Sequence, residues 1–222
     1  MYKNILFDFD GTVFDTLRGI DRSLRYAFDN TGVSLPGDVS MRTFAGPPFK
    51  VIFKEKFGFD DELISKITEA FREDYLPFGI YESSPFPGIA ELLDELRQHG
   101  FRTAIATLKP YTMALELLKR SGLSDKFDAV SGQAAEGAEA LTKADIVRRA
   151  MDMLDAVEED TVLVGDTKYD VVGGHEAGIK VIGVRYGYAE AGELEKAGAD
   201  LIVENMDDLR ALLLGQDSKM TR

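Results

Sequence analysis

Six short aliphatic runs set the framework of this chain: Asn4–Asp8, Arg102–Thr107, Ala129–Ser131, Thr161–Gly165, Lys180–Val184 and Asp200–Val203. They are mostly apolar throughout and do not alternate, the pattern of strands buried on both faces. Amphipathic helical patterns separate them at Gly88–His99, Pro110–Ser121, Lys143–Leu154, Tyr169–Ala177, Glu190–Ala197 and Asp207–Leu214. Glycine stands just past three of these helices, at Gly100, Gly122 and Gly178, where a left-handed C-cap is needed. Strand alternating with helix predicts an α/β fold built on a parallel sheet with right-handed crossovers.

One stretch breaks the rhythm. From Leu17 to about Tyr81 only helical patterns occur, at Leu17–Asn30, Met41–Phe44, Phe49–Phe57 and Asp60–Tyr75. Leu24, Ala27 and Phe28 share one face of the first, and Leu63, Ile67, Ala70 and Phe71 one face of the last. A helical bundle is therefore expected as an insertion directly after the first strand. The expected division is a main domain of residues 1–15 and 84–222 and a helical unit of residues 16–83, with the Pro/Gly-rich stretch Ser83–Gly88 as the point of re-entry. The polar tail Gln216–Arg222 is expected to fray.

Composition then removes whole classes of chemistry. The chain has no cysteine and two histidines, so disulfides, thiolate catalysis, cysteine-ligated metals and a three-histidine zinc site are all excluded. Carboxylates, hydroxyls and lysines must do the work. A net charge of −13 argues against nucleic acid and against anionic membrane surfaces as partners. The N-terminal segment lacks the pattern of a signal peptide, and a cytoplasmic setting is expected.

Acidic residues gather where two strands end. The first strand runs into Asp8-Phe9-Asp10-Gly11-Thr12, and the fourth into Gly165-Asp166-Thr167-Lys168-Tyr169-Asp170. Ligands of parallel α/β sheets bind beyond the carboxyl ends of the strands. Four carboxylates at two such ends suggest a divalent cation, and an all-oxygen donor set favours Mg²⁺. Thr107 closes the second strand and precedes a helix, where a hydroxyl and backbone N–H groups can hold a phosphate.

On these motifs the chain resembles a phosphatase of the haloacid dehalogenase superfamily with a helical cap inserted after the first strand, of phosphoglycolate phosphatase or 5′-nucleotidase type. The resemblance covers nearly the whole chain and implies a Rossmann-like core. It implies that Asp8 is the nucleophile that becomes an aspartyl phosphate and that Asp10 is general acid and base. Asp8, the backbone carbonyl of Asp10 and Asp166 would hold Mg²⁺, with Asp170 in support. Thr107 would bind the transferring phosphoryl group and Lys143 would neutralise its charge. Two positions depart from the family pattern: Leu108 follows Thr107 where Asn or Ser is frequent, and Ala144 follows Lys143 where Pro is frequent. Lys109 is the rival cation.

Under the same resemblance Asp15–Leu17 and Glu82–Pro85 are hinges, and the helical unit closes as a lid. Arg42, Lys50 and the loop Gly46–Phe49, including Pro48, are candidates for substrate contact. Tyr188 ends a loop, Gly183–Tyr188, that is expected to line the site. His99, at a helix end beside Gly100, and His175, in the helix after the fourth strand's acidic motif, are read as residues without a catalytic part. The expected substrate is a small phosphorylated metabolite, acted on by a monomer or homodimer. A sugar phosphomutase of the β-phosphoglucomutase type is the second enzymatic reading, and a non-catalytic phosphate-binding regulator the third.

Overall fold

The computed structural model describes residues 2–35, 39–46, 49–134 and 140–215. The chain begins with β1 (Asn4–Phe7) and the two-residue β2 (Phe14–Asp15), then enters a helical segment of α1 (Leu17–Thr31), α2 (Phe49–Phe57) and α3 (Asp61–Tyr75). It returns through β3 (Ser84–Pro85) and α4 (Ile89–Gln98). Then follow β4 (Arg102–Pro110), α5 (Tyr111–Ser121), β5 (Ala129–Gln133) and α6 (Lys143–Met153). The last part comprises β6 (Thr161–Gly165), α7 (Lys168–Glu176), β7 (Lys180–Val184), α8 (Glu193–Ala197), β8 (Leu201–Val203) and α9 (Met206–Leu214).

Six strands form one sheet in the order β5-β4-β1-β6-β7-β8, and every pairing is parallel. Strand β1 lies between β4 and β6, with Phe7 opposite Ile105 on one side and Val164 on the other. The chain order reverses around β1, which makes its carboxyl end the switch point where such sheets bind ligands. The apolar strands divide by parity. Ile5, Phe7, Val162 and Val164 face one buried layer; Leu6, Ala104, Ala106 and Leu163 face the other, against α6 and α7.

Each of the six expected strands is present. Strand β4 runs to Pro110, beyond the expected end at Thr107, because it bulges between Ala106 and Pro110 and rejoins β5 at Gln133. Gly100, Gly122 and Gly178 adopt positive φ of 82°, 71° and 86°, as the helix ends required. Helix α8 is shorter than expected, starting at Glu193 and not Glu190, since Gly192 at φ 76° precedes it. The pair β2–β3 was not foreseen: two-residue strands carry too little pattern to read.

Aromatic residues build the helical segment. Phe28, Phe44, Phe49, Phe53, Phe57, Phe59 and Phe71 interlock, with ring centroids 4.7 to 6.3 Å apart. Helix α1 is held to the stretch after α3 by a close backbone approach. A Cβ on Gly19 would lie 2.0 Å from the Gly79 carbonyl oxygen. Beside that contact, buried Asp74 accepts from the Ser23 hydroxyl at 2.8 Å and from Arg22 at 3.1 Å. Gly19→Ala is therefore expected to destabilise the protein by about 1–3 kcal/mol in urea unfolding, despite the better helix propensity of alanine. An unchanged urea midpoint would show that the two backbones are free to separate.

Candidate active site

The parallel sheet delivers Asp8 and Asp166 to neighbouring positions, one residue past β1 and β6. Asp170 follows on the first turn of α7. One carboxylate oxygen from each of Asp8, Asp166 and Asp170 lies within 4.8 Å of the others, and all three residues are buried. Asp170 divides its two oxygens. Oδ2 accepts from the Thr167 N–H and hydroxyl, both at 3.0 Å, which closes the start of α7. Oδ1 meets Lys143 Nζ at 2.7 Å. Asp166 Oδ2 accepts from the Tyr188 N–H at 2.7 Å, and its Oδ1 from the Thr12 hydroxyl at 3.3 Å.

Lys143 opens helix α6, behind a capping box of Thr142 and Asp145. A cation at that end opposes the helix dipole, so something else must favour it. Its buried ammonium group spans Asp8 Oδ1 at 2.5 Å and Asp170 Oδ1, and also donates to the Ala106 carbonyl at 2.6 Å. The room for this reach comes from α7. A Cβ on Gly173 would lie 2.5 Å from Lys143 Cβ, so only glycine lets the two helices meet there.

Lys109 forms a second cationic centre. It donates to both Asp10 oxygens, at 3.0 and 3.3 Å, and to the Tyr75 hydroxyl at 3.0 Å. Its ammonium sits 5.3 Å from the Tyr75 ring centroid and 5.8 Å from that of Phe9. Tyr75 belongs to α3, so a side chain of the helical segment reaches the site. Thr107, almost fully buried, accepts the Lys109 N–H at 3.1 Å through its hydroxyl. The two lysines are thus not rivals for one place: Lys143 serves Asp8 and Lys109 serves Asp10.

The charges crowd one another. Burial, against the downward pull of Lys143 and with the charges of Asp170 and Asp10 adding to it, holds the Asp8 carboxyl up at about 7. Burial, and then the charges of Asp170 and Asp8, raise Asp166 well above the carboxylate range. Burial disfavours the charged forms of Lys143 and Lys109. The neighbouring carboxylates outweigh it, and both ammonium groups are held above the ordinary lysine value. Three buried oxygen donors with more negative charge than one lysine cancels fit a hard divalent cation.

The other sequence candidates fall further out. Arg42, on the short turn Met41–Phe44, donates to the Gly187 carbonyl at 3.4 Å at the edge of the site. Lys50 is not brought to the carboxylates; it pairs with Asp61 at 3.7 Å beside a separate cavity of about 840 Å³ along α3. Pro48 and the tail from Gln216 lie outside the described residues. His99 contacts the Glu95 carbonyl at 2.8 Å and His175 pairs with Asp200 at 2.9 Å, both exposed and on other parts of the surface. Sequence reasoning missed Thr12 and Tyr75. Thr12 stood inside the first acidic motif, while Tyr75 gave no signal beyond its helical position.

A parallel sheet with an acid cluster at its switch point and a helical insertion after β1 defines the haloacid dehalogenase-like hydrolases. The chain belongs to that family, whose model matches residues 5–184. It is 33% identical over 193 residues to a 5′-nucleotidase of Pseudomonas aeruginosa, covering 87% of each chain. It is 32% identical over 212 residues to a tyrosine-protein kinase of Mycobacterium tuberculosis, covering 94% of this chain and 72% of the other. A predicted phosphatase from Clostridium acetobutylicum has the same structure at a TM-score of 0.90 and 34% identity, over 97% of this chain and 99% of that one. The protein is a phosphatase of this family. No helix of the described residues is long and apolar enough to cross a membrane.

The raised Asp8 value gives a stability test. The unfolded chain releases this proton near 4, whereas the fold holds it to about 7. Asp8 therefore favours the metal-free fold most below pH 4, and that contribution is lost as the pH rises to about 7. Asp8→Asn removes the titration. Without divalent cations, Tm of Asp8→Asn relative to the native protein should climb by several degrees from pH 4 to pH 7. A flat difference would show that the Asp8 charge is already compensated.

Proposed function

We propose that this phosphatase hydrolyses a small phosphomonoester through an aspartyl phosphate on Asp8. The observation that carries this reading is the bridge of Lys143 between Asp8 and Asp170, beside Asp166. A carboxylate attacks a dianionic phosphate only where charge repulsion is cancelled. Lys143 supplies one positive charge directly at the attacking oxygen. Asp8, Asp166 and the backbone carbonyl of Asp10 would hold Mg²⁺, with Asp170 in support. That ion would supply further neutralisation of phosphoryl charge and fix the substrate's orientation.

The remaining steps use this chain's own groups. An Asp8 oxygen forms a bond to phosphorus as the bond to the leaving oxygen breaks. Asp10 passes a proton to that oxygen, then takes one from the water that attacks phosphorus. The Asp8–phosphate bond breaks, and inorganic phosphate and the free Asp8 carboxylate result. Lys109 holds both Asp10 oxygens before substrate arrives. An incoming phosphate gives Lys109 a second anionic partner, which frees one Asp10 oxygen to carry the proton. Thr107 offers its hydroxyl to the phosphoryl oxygens.

In this reading residues 16–83 act as a cap. Supporting it, the two chain crossings lie side by side as an antiparallel pair, Phe14 opposite Pro85 and Asp15 opposite Ser84. A cleft of about 110 Å³ lies between the helical segment and the core, lined by Arg42, Lys56, Thr167 and Tyr188 among others. It borders the acid cluster through Thr167 and Tyr188, which bond to Asp170 and Asp166. Similarity to a 5′-nucleotidase makes nucleoside 5′-monophosphates the first class to test, followed by phosphoglycolate and sugar phosphates.

With Mg²⁺ present, at least one of these classes should release phosphate, and chelation should abolish the release. Asp8→Asn should lower kcat by roughly 10³-fold or more, and Lys143→Ala by about 10²–10³-fold. Phosphate release that persists in chelator or in Asp8→Asn would contradict the mechanism. Isomerised sugar phosphate without free phosphate would identify a mutase instead.

A further inference from the structure

The loop after β7 touches both the acid cluster and the chain crossing into α1. Its Gly187 presses against the acid cluster: a Cβ there would lie 2.3 Å from Asp166 Cβ and 2.5 Å from the Gly11 carbonyl oxygen. Tyr188 follows, and its N–H donates to Asp166 Oδ2 at 2.7 Å. The buried ring carries its hydroxyl to the start of α1. There it accepts from the Thr16 N–H at 2.7 Å and the Leu17 N–H at 3.0 Å, and donates to Asp15 Oδ1 at 2.8 Å. One residue therefore holds the carboxylate through its backbone and the first chain crossing through its side chain.

Its neighbour Tyr186 repeats the arrangement on the other side. The Tyr186 hydroxyl donates to the Thr12 carbonyl at 3.0 Å, while the Thr12 hydroxyl donates to Asp166 Oδ1. The Tyr186 ring meets Phe86, just past the second crossing, with centroids 4.9 Å apart. Both Asp166 oxygens are thus tied through this loop to both crossings. A phenol hydroxyl has one proton and two lone pairs, and at Tyr188 all three are engaged. A planar ring of fixed length transmits displacement, so a shift of Thr16 and Leu17 would draw the Tyr188 N–H away from Asp166. A second arrangement of this crossing is consistent with Thr16, whose buried hydroxyl has no partner here.

We propose that Tyr188 is a positioning residue that couples the crossing at Asp15–Leu17 to the Asp166 carboxylate. Cation binding at Asp166 and the seating of α1 then bias each other, reciprocally. This rests on the reading that Asp166 holds Mg²⁺, and the test separates the two.

The measurement is amide hydrogen exchange on the full chain, with and without Mg²⁺, in the native protein and in Tyr188→Phe. In the native protein Mg²⁺ should slow exchange at Thr16, Leu17 and Tyr188 by roughly tenfold. In Tyr188→Phe the Thr16 and Leu17 amides should exchange about tenfold faster and ignore Mg²⁺. The amide at position 188, which donates to Asp166, should still respond. A tyrosine with a merely structural part would speed exchange but leave the Mg²⁺ response at Thr16 and Leu17 intact; that result overturns the proposal. Exposed Asp15 gives a second variant should Tyr188→Phe fail to fold. Asp15→Ala removes one of the three bonds at the Tyr188 hydroxyl and should weaken the Mg²⁺ response at Thr16, whose N–H donates to that hydroxyl, about threefold, and an unchanged response there overturns the proposal. No response to Mg²⁺ at any of the three amides in the native protein overturns the metal reading of Asp166, and the coupling with it.

Discussion

Everything at the carboxyl end of this sheet answers to one electrostatic problem: three buried carboxylates share a space under 5 Å across. Left alone, such a cluster would take up protons or push the strand ends apart. Lys143 offsets part of this repulsion by lying between Asp8 and Asp170. The helix that presents it starts with a cation at its positive end, an arrangement that only the two acids make favourable. Gly173 on α7 leaves the space that Lys143 occupies. The charge that remains is what a divalent cation would balance.

The same constraint explains why a protein of net charge −13 handles an anionic substrate. Long-range attraction is unfavourable, so affinity has to come from a local reversal of sign. Two buried lysines provide it, each paired with a different acid. The pairing gives separate partners to Asp8 and Asp10, which stand two residues apart at one strand end. Asp8 faces Lys143 from the α6 side, and Asp10 faces Lys109 and Tyr75 beneath the helical segment. In the proposed mechanism, attack and proton transfer would then each have a lysine of their own.

Much of this was legible in the sequence because strands buried on both faces leave an unambiguous mark. The six aliphatic runs gave the sheet, and the acids at Asp8, Asp10, Asp166 and Asp170 stood at strand ends by simple counting. Lys143 was found through family resemblance, and the structure places its ammonium group on Asp8. What could not be read were contacts between residues far apart in the chain. Tyr75 looks like any aromatic on the buried face of α3, and only the packing of α3 against the core brings it to Lys109. Tyr188 showed its loop but not its hydroxyl's partners, 172 positions away at Thr16. Lys50 shows the same limit: the sequence does not reveal that this cation within the expected lid lies beside Asp61 at the surface.

The central claim is that Asp8 itself receives the phosphoryl group. The most direct test traps that species. Asp10→Asn, unable to pass on the proton, is mixed with an activated phosphomonoester and Mg²⁺, quenched, reduced with borohydride and mapped by mass spectrometry. Reductive conversion should fall on the peptide around Phe7–Gly11 and at Asp8 alone. Reduction at another acid, a phosphoryl group left on Thr107, or neither despite phosphate release would contradict the account.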